Sequence, residues 1–249
     1  MFAAQSNRTN TALELSFKSD PRYISRLSSL AGRIFPEADM KHWHSTGNAL
    51  LLRDPTARRI LIVNNQKLQL QTLAFDTITK RLDHHVKLID LAANEFDLKQ
   101  FENASFTAAG FLDIGMSHRE MNDLMFGTYF RPSGVYSTVC EKLSDSNLTM
   151  FGEKNGYQLD LYITPMTVDQ VLATFDAITN LEHFADPKLF DSGLKDIRST
   201  VEGDACYLRV HLHKPDLSAF EIKPFISESN TLANSIADNA IKLLKSLPT

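Results

Sequence analysis

The chain has 249 residues, with 26 basic and 30 acidic side chains and a formal net charge of −4 at pH 7. That balance, with adjacent basic residues only at Arg58/Arg59 and Lys80/Arg81, argues against a nucleic-acid footprint, which needs clustered cations. The longest apolar runs, 49–52 and 60–63, are too short to span a bilayer.

Other totals narrow the chemistry. Phe occurs 16 times against 6 Tyr and 1 Trp; Phe fills space without hydrogen bonding, so this is a packing composition. Only Cys140 and Cys206 are present and no C-x-x-C exists, which removes a disulfide framework and the usual cysteine metal motifs. The N-terminal stretch lacks a basic segment followed by an apolar run, so the expectation is a cytoplasmic protein in which the sequons at Asn7, Asn103 and Asn147 have no role.

In chain order, residues 12–18 alternate, with Leu13, Leu15 and Phe17 on one face, and predict a half-buried strand. Asp20-Pro21 reads as N-cap and first helical residue. Ile24, Leu27, Leu30, Ala31 and Ile34 follow at helical spacing, and Pro36 should stop that helix. Residues 49–52 read as a strand, and 59–63 and 68–71 as two strands or one bent strand. Residues 72–91 read as a helix with Phe75, Ile78, Leu82, Val86 and Ile89 on its apolar stripe.

Residues 111–117 read as a further strand. Ser117 to Glu120 has the form of a capping box, and the helix that follows breaks at Pro132-Ser133-Gly134 and resumes. Residues 148–151 and 157–163 read as strands joined by Asn155-Gly156, the strongest short-range hairpin signal in the chain. Thr167 to Gln170 is a second capping box, opening a helix with Val168, Val171, Leu172, Phe175, Ile178 and Leu181 inward. Residues 186–203 are polar and irregular. Residues 206–213 alternate as a strand, 215–229 form a connection with Phe220, Ile222 and Phe225 packing down, and a final helix carries Leu232, Ile236, Ala240, Leu243 and Leu247.

The two parts of the chain resemble each other. Leu13 to Leu15 match Leu112 to Ile114, Leu50 and Leu52 match Leu148 and Met150, and Leu61 and Val63 match Leu159 and Leu161, at near-constant offset. Phe75-Asp76-Thr77-Ile78-Thr79 matches Phe175-Asp176-Ala177-Ile178-Thr179. The expected fold is therefore α+β: a mostly antiparallel sheet with helices on one face, built from two pseudo-repeated β-α-β-β-α halves. The halves are 11–102 and 103–249, the second carrying an additional strand and the C-terminal helix, together one unit.

No motif names a reaction. Phosphate-loop, dinucleotide, zinc-protease and nucleophile-elbow patterns are absent. Histidines fall in close pairs, His42/His44, His84/His85 and His211/His213. Residues two apart on a strand point the same way, so each strand pair offers two nitrogens to one ion. If the pairs converge, a metal-assisted hydrolase follows. Asp76 and Asp176 occupy matching positions, and as a pair would suit acid/base chemistry, although each fits a solvated helix face better. Cys140 and Cys206 read as buried structural thiols.

The outward row Tyr207, Arg209, His211 and His213 is the preferred binding surface: one aromatic, one permanent cation and two titratable rings on one sheet face. The expectation is thus a non-enzymatic binding protein without a cofactor. It would contact another protein, a second copy of itself or a small anionic ligand through this sheet face or the cleft between the halves, with no nucleic-acid and no membrane partner.

Overall fold

A computed structural model of the chain describes residues 10–40, 42–54, 59–72, 78–129, 145–179 and 203–246. Within them nine strands form one sheet. These are β1 (Asn10–Ser16), β2 (His42–Thr46), β3 (Ala49–Asp54), β4 (Arg59–Asn64), β5 (Lys67–Thr72), β6 (Gln100–Leu112), β7 (Leu148–Lys154), β8 (Tyr157–Met166) and β9 (Ala205–Ser218). The helices among the described residues are α1 (Pro21–Ala38), α2 (Leu82–Phe96), α3 (His118–Tyr129), α4 (Val168–Thr179) and α5 (Ile222–Ser246). The architecture is α+β, and none of these helices is long and apolar enough to cross a membrane.

The strand order is β2-β3-β4-β5-β1-β6-β9-β8-β7, and every neighbouring pair is antiparallel. β1 and β6 lie at the middle. From β1 the chain crosses to one edge through α1 and returns through β2, β3, β4 and β5; from β6 it crosses to the other edge and returns through β7, β8 and β9.

The alternation that predicted strands also sets their register. Leu52, Leu61, Leu70, Leu13, Phe106 and Leu212 lie side by side across six strands. All six are fully buried, since a one-residue slip would turn each to the other face. Fully burying a side chain such as Phe106 contributes about 1.5–3 kcal/mol. α1, α2 and α5 cover this inner face and share one apolar cluster with it. At the α1–α2 junction Tyr23 stacks on Phe96 with ring centres 4.6 Å apart, and Phe17 meets both Tyr23 and Phe101 edge-on.

Several local signals act as expected. Asp20 accepts the Arg22 backbone N–H at 2.9 Å, with Pro21 opening α1. Asn155 and Gly156 both take positive φ, 53° and 78°, the conformation that lets a two-residue turn follow strand twist. Ser117/Glu120 and Thr167/Gln170 form reciprocal capping boxes.

Other elements depart from expectation. Pro36 lies inside α1, which continues to Ala38; the missing N–H falls in the last turn, so only one hydrogen bond is lost before the helix ends. The strand expected at 111–117 is the end of a longer one, β6, which starts at Gln100. Asp113 then caps a turn by accepting the Gly115 N–H at 2.8 Å, with Gly115 at φ 76°. α2 begins at Leu82 after a 3₁₀ turn at Ile78–Arg81 and runs to Phe96. β9 continues to Ser218, so the connection to α5 is a 3₁₀ turn at Ala219–Glu221 with Phe220 93% exposed.

Candidate functional site

The sheet's second face, the outer one, carries the predicted row. Odd residues of β9 alternate away from the buried Leu208, Val210 and Leu212, so Tyr207, Arg209, His211 and His213 share it. On β8 they face Thr164, Tyr162, Asp160 and Gln158, and on β6 they face Phe111, Ala109, Thr107 and Ser105.

The aromatic end is packed. Tyr207 lies 5.1 Å from Phe111 and 6.1 Å from Tyr162 between ring centres, and burial raises its hydroxyl pKa. Arg209 is exposed. Its guanidinium sits 5.5 Å above the Tyr162 ring, a cation–π contact of about 0.5–1 kcal/mol at such a site. Among the described residues it has no carboxylate in ion-pair range.

His211 is half-buried and its Nδ1 lies 2.8 Å from the Thr107 hydroxyl. Burial is the main influence on the ring and lowers its pKa, opposed by Asp160 on β8. His211 is therefore a neutral hydrogen-bonding group at pH 7 rather than a cation. Of the expected row, Arg209 alone is a permanent charge.

Between β5 and β9 the floor is low. β1 contributes Asn10, Ala12 and Glu14, and β6 contributes Ser105, Thr107 and Ala109. Gln69 and Gln71 stand on β5, and the longer β9 side chains stand opposite. Three strand spacings separate these banks, about 14 Å. Glu14 pairs with Lys67 at 3.3 Å along one bank. Further out on the same face Leu51, Arg53 and Ile60 are buried.

The histidine pairs do not meet. His42 and His211 lie in one cross-strand row separated by Arg53, Ile60, Gln71, Ala12 and Thr107. Six strand spacings amount to about 29 Å, far beyond the reach of one ion. His84 and His85 lie on α2, where His84 Nε2 is 3.1 Å from the Ala38 carbonyl oxygen and His85 Nδ1 is 2.8 Å from that of Ile78. No group of three or more metal-ligating side chains forms among the described residues. Asp76, the side chain of Asp176, and Cys140 lie outside the described residues. Cys206 is 1% exposed, and burial pushes its thiol up to about 12, so it lacks thiolate character.

One polar cluster was not anticipated. Asp204, just before β9, accepts the backbone N–H of His118 at 2.8 Å and of Val168 at 3.2 Å. One carboxylate thus holds the N-termini of both α3 and α4, where unsatisfied donors and the helix dipole favour an anion. Beside it Asn122, Ser146 and Thr164 are buried and linked: Ser146 Oγ donates to Asn122 Oδ1, and Thr164 Oγ1 donates to the Ser146 carbonyl at 3.1 Å. Ser146, His118 and Asp145 are neighbours, but the wiring is not that of an activated nucleophile. The serine hydroxyl points to Asn122, and Asp145 stands 3.6 Å from His118 Nε2, longer than a hydrogen bond. The two capping boxes mark both helix starts in the sequence, but Asp204, 86 and 36 residues away from its partners, gives no local signal.

The sequence matches no protein-family model and no curated protein.

Proposed function

We propose that this chain is a non-enzymatic binding protein that engages a protein partner through the outer face around β1, β6 and β9. The observation that carries the reading is the shape and chemistry of that face: a floor about 14 Å wide, of mostly short side chains with the Glu14 carboxylate paired to Lys67, banked by Arg209, His211 and His213 on β9. A flat sheet face with one exposed guanidinium that has no carboxylate partner among the described residues, an amphipathic tyrosine pair and a neutral imidazole suits a protein surface better than a small anion. Small ligands favour enclosed pockets, and Arg and Tyr are favoured at protein interfaces.

The reading extends to a duplicated origin, with the floor lying on the approximate dyad. It is supported by the order of elements: each half starts at the centre of the sheet, crosses to an edge through a helix, and returns strand by strand. There are two departures among the described residues: the first half has five strands against four in the second, so the additional strand is β2 rather than one of the second half, and α4 lies between β8 and β9 where β4 and β5 are joined by a short turn.

The test is substitution of Arg209, His211 and His213 together by Ala, followed by affinity capture from cell extract with wild type and variant in parallel. The expected result is a partner retained by wild type and lost from the variant, with the thermal midpoint nearly unchanged. The same partner retained by both would end the assignment.

A further inference from the structure

Among the described residues β7 is one end of the sheet, paired to β8 on one side only. Such an edge exposes a row of backbone donors and acceptors, and proteins usually blunt it with Pro, a bulge or charges in mid-strand. β7 has no Pro, pairs with β8 in unbroken register from Leu148 to Lys154, and carries its charges only at Glu153 and Lys154. Every residue from Thr149 to Lys154 is exposed. Among them Phe151 is 77% and Met150 43% exposed, one on each face of the sheet, which is an unusual cost for an unpartnered strand.

We propose that β7 pairs with β7 of a second copy of this chain, antiparallel about a two-fold axis at Phe151, to give one continuous sheet across the dimer. The strand is self-complementary in that register. All seven residues of β7 find a partner, because Leu148 and Lys154 are equidistant from Phe151. Phe151 meets its own copy as an aromatic pair on the outer face, a favourable cross-strand combination. On the inner face Met150 lies opposite Gly152 of the second copy, twice over, so each thioether enters the space that the glycine leaves. Glu153 faces Thr149 and Lys154 faces Leu148, so no like charges oppose. The other edge is a poorer candidate: β2 has five residues, and its Trp43 already packs edge-on against Phe35 at 6.1 Å. An isologous contact of this kind closes at two copies.

Sedimentation equilibrium over a concentration series tests the proposal on the full chain. A monomer–dimer equilibrium is expected for wild type. Phe151→Lys sets two like charges against each other at the axis and should weaken the dimer at least tenfold, with circular dichroism and thermal midpoint of the dilute monomer unchanged. The register is read in a Cys140→Ser background: Phe151→Cys should cross-link to itself under mild oxidation, Glu153→Cys alone should not, and Thr149→Cys with Glu153→Cys should. A monomer at every concentration, a dimer indifferent to Phe151→Lys, or cross-linking by Glu153→Cys as efficient as by Phe151→Cys would each overturn it.

Discussion

The carboxylate of Asp204 accepts the backbone N–H of His118 at 2.8 Å across 86 residues of chain. Its other oxygen does the same for Val168, so removing it uncaps two helices at once. Asp204→Ala should cost about 2–3 kcal/mol, more than the ~1 kcal/mol typical of one lost cap. Asp204→Asn, which keeps one acceptor, should cost roughly half. Urea denaturation followed by circular dichroism distinguishes these values, and a loss below about 0.5 kcal/mol would contradict the double-cap role.

Phe106 and Phe220 make a matched contrast. Phe106 is fully buried in the central strand pair, and Phe220 is 93% exposed on the turn before α5. Phe106→Ala should destabilise by about 3–5 kcal/mol, and Phe220→Ala by less than about 0.5 kcal/mol. Comparable losses at both positions in denaturant titrations would mean that β6 is not the middle of the sheet.

His211 gives the outer face a pH signature. Burial lowers its folded pKa below the ordinary 6.5, so on acidification the unfolded chain takes up the proton first. The stabilising contribution is fully present above the unfolded value and declines as pH falls through it toward the folded one. His211→Gln should therefore flatten the stability change between pH 7.5 and 5.5 relative to wild type. An identical pH slope in the two proteins, measured by urea unfolding, would refute the burial-driven shift.

Gly156 sits at φ 78° in the turn joining β7 to β8, with nothing within 4 Å of an added Cβ. Gly156→Ala is thus a backbone test free of steric collision. The left-handed conformation should cost it about 1–2 kcal/mol, whereas Gly152→Ala, in extended backbone with equal space within one copy, should be near neutral or mildly stabilising in the dilute monomer. Differential scanning calorimetry of the two variants should show a lowered midpoint only for Gly156→Ala.

The most readable parts of the sequence were those in which local chemistry and global position agree. Asp20-Pro21, Asn155-Gly156 and the two capping boxes each satisfy their own backbone groups, so their meaning does not depend on what lies across the fold. The inner-face leucines were legible for a related reason: alternation is strongest where one face is buried and the other wet. β6 was obscured because its centre, Ala104 to Gly110, is built from small residues apart from Phe106. Ala and Gly are poor strand formers by composition, yet here they let α5 approach the inner face and leave the outer floor low. Pro36 misled because its penalty depends on how much helix remains after it. The row from Tyr207 to His213 was placed on one face by period-two spacing alone, but the lowered pKa of His211 comes chiefly from burial, which spacing does not reveal.

β1 leaves the ribosome before the other eight strands of the sheet, yet it occupies an interior place, between β5 and β6. Residues through Thr72 can complete the four-stranded β2-to-β5 meander with β1 paired to β5 on the ribosome, leaving the far side of β1 open until Gln100–Leu112 has emerged. For that interval the nascent chain presents an apolar, unpaired strand to its surroundings, the kind of template on which neighbouring polysomal chains associate wrongly. The hazard is transient, and the rate at which the ribosome delivers β6 decides how long it lasts.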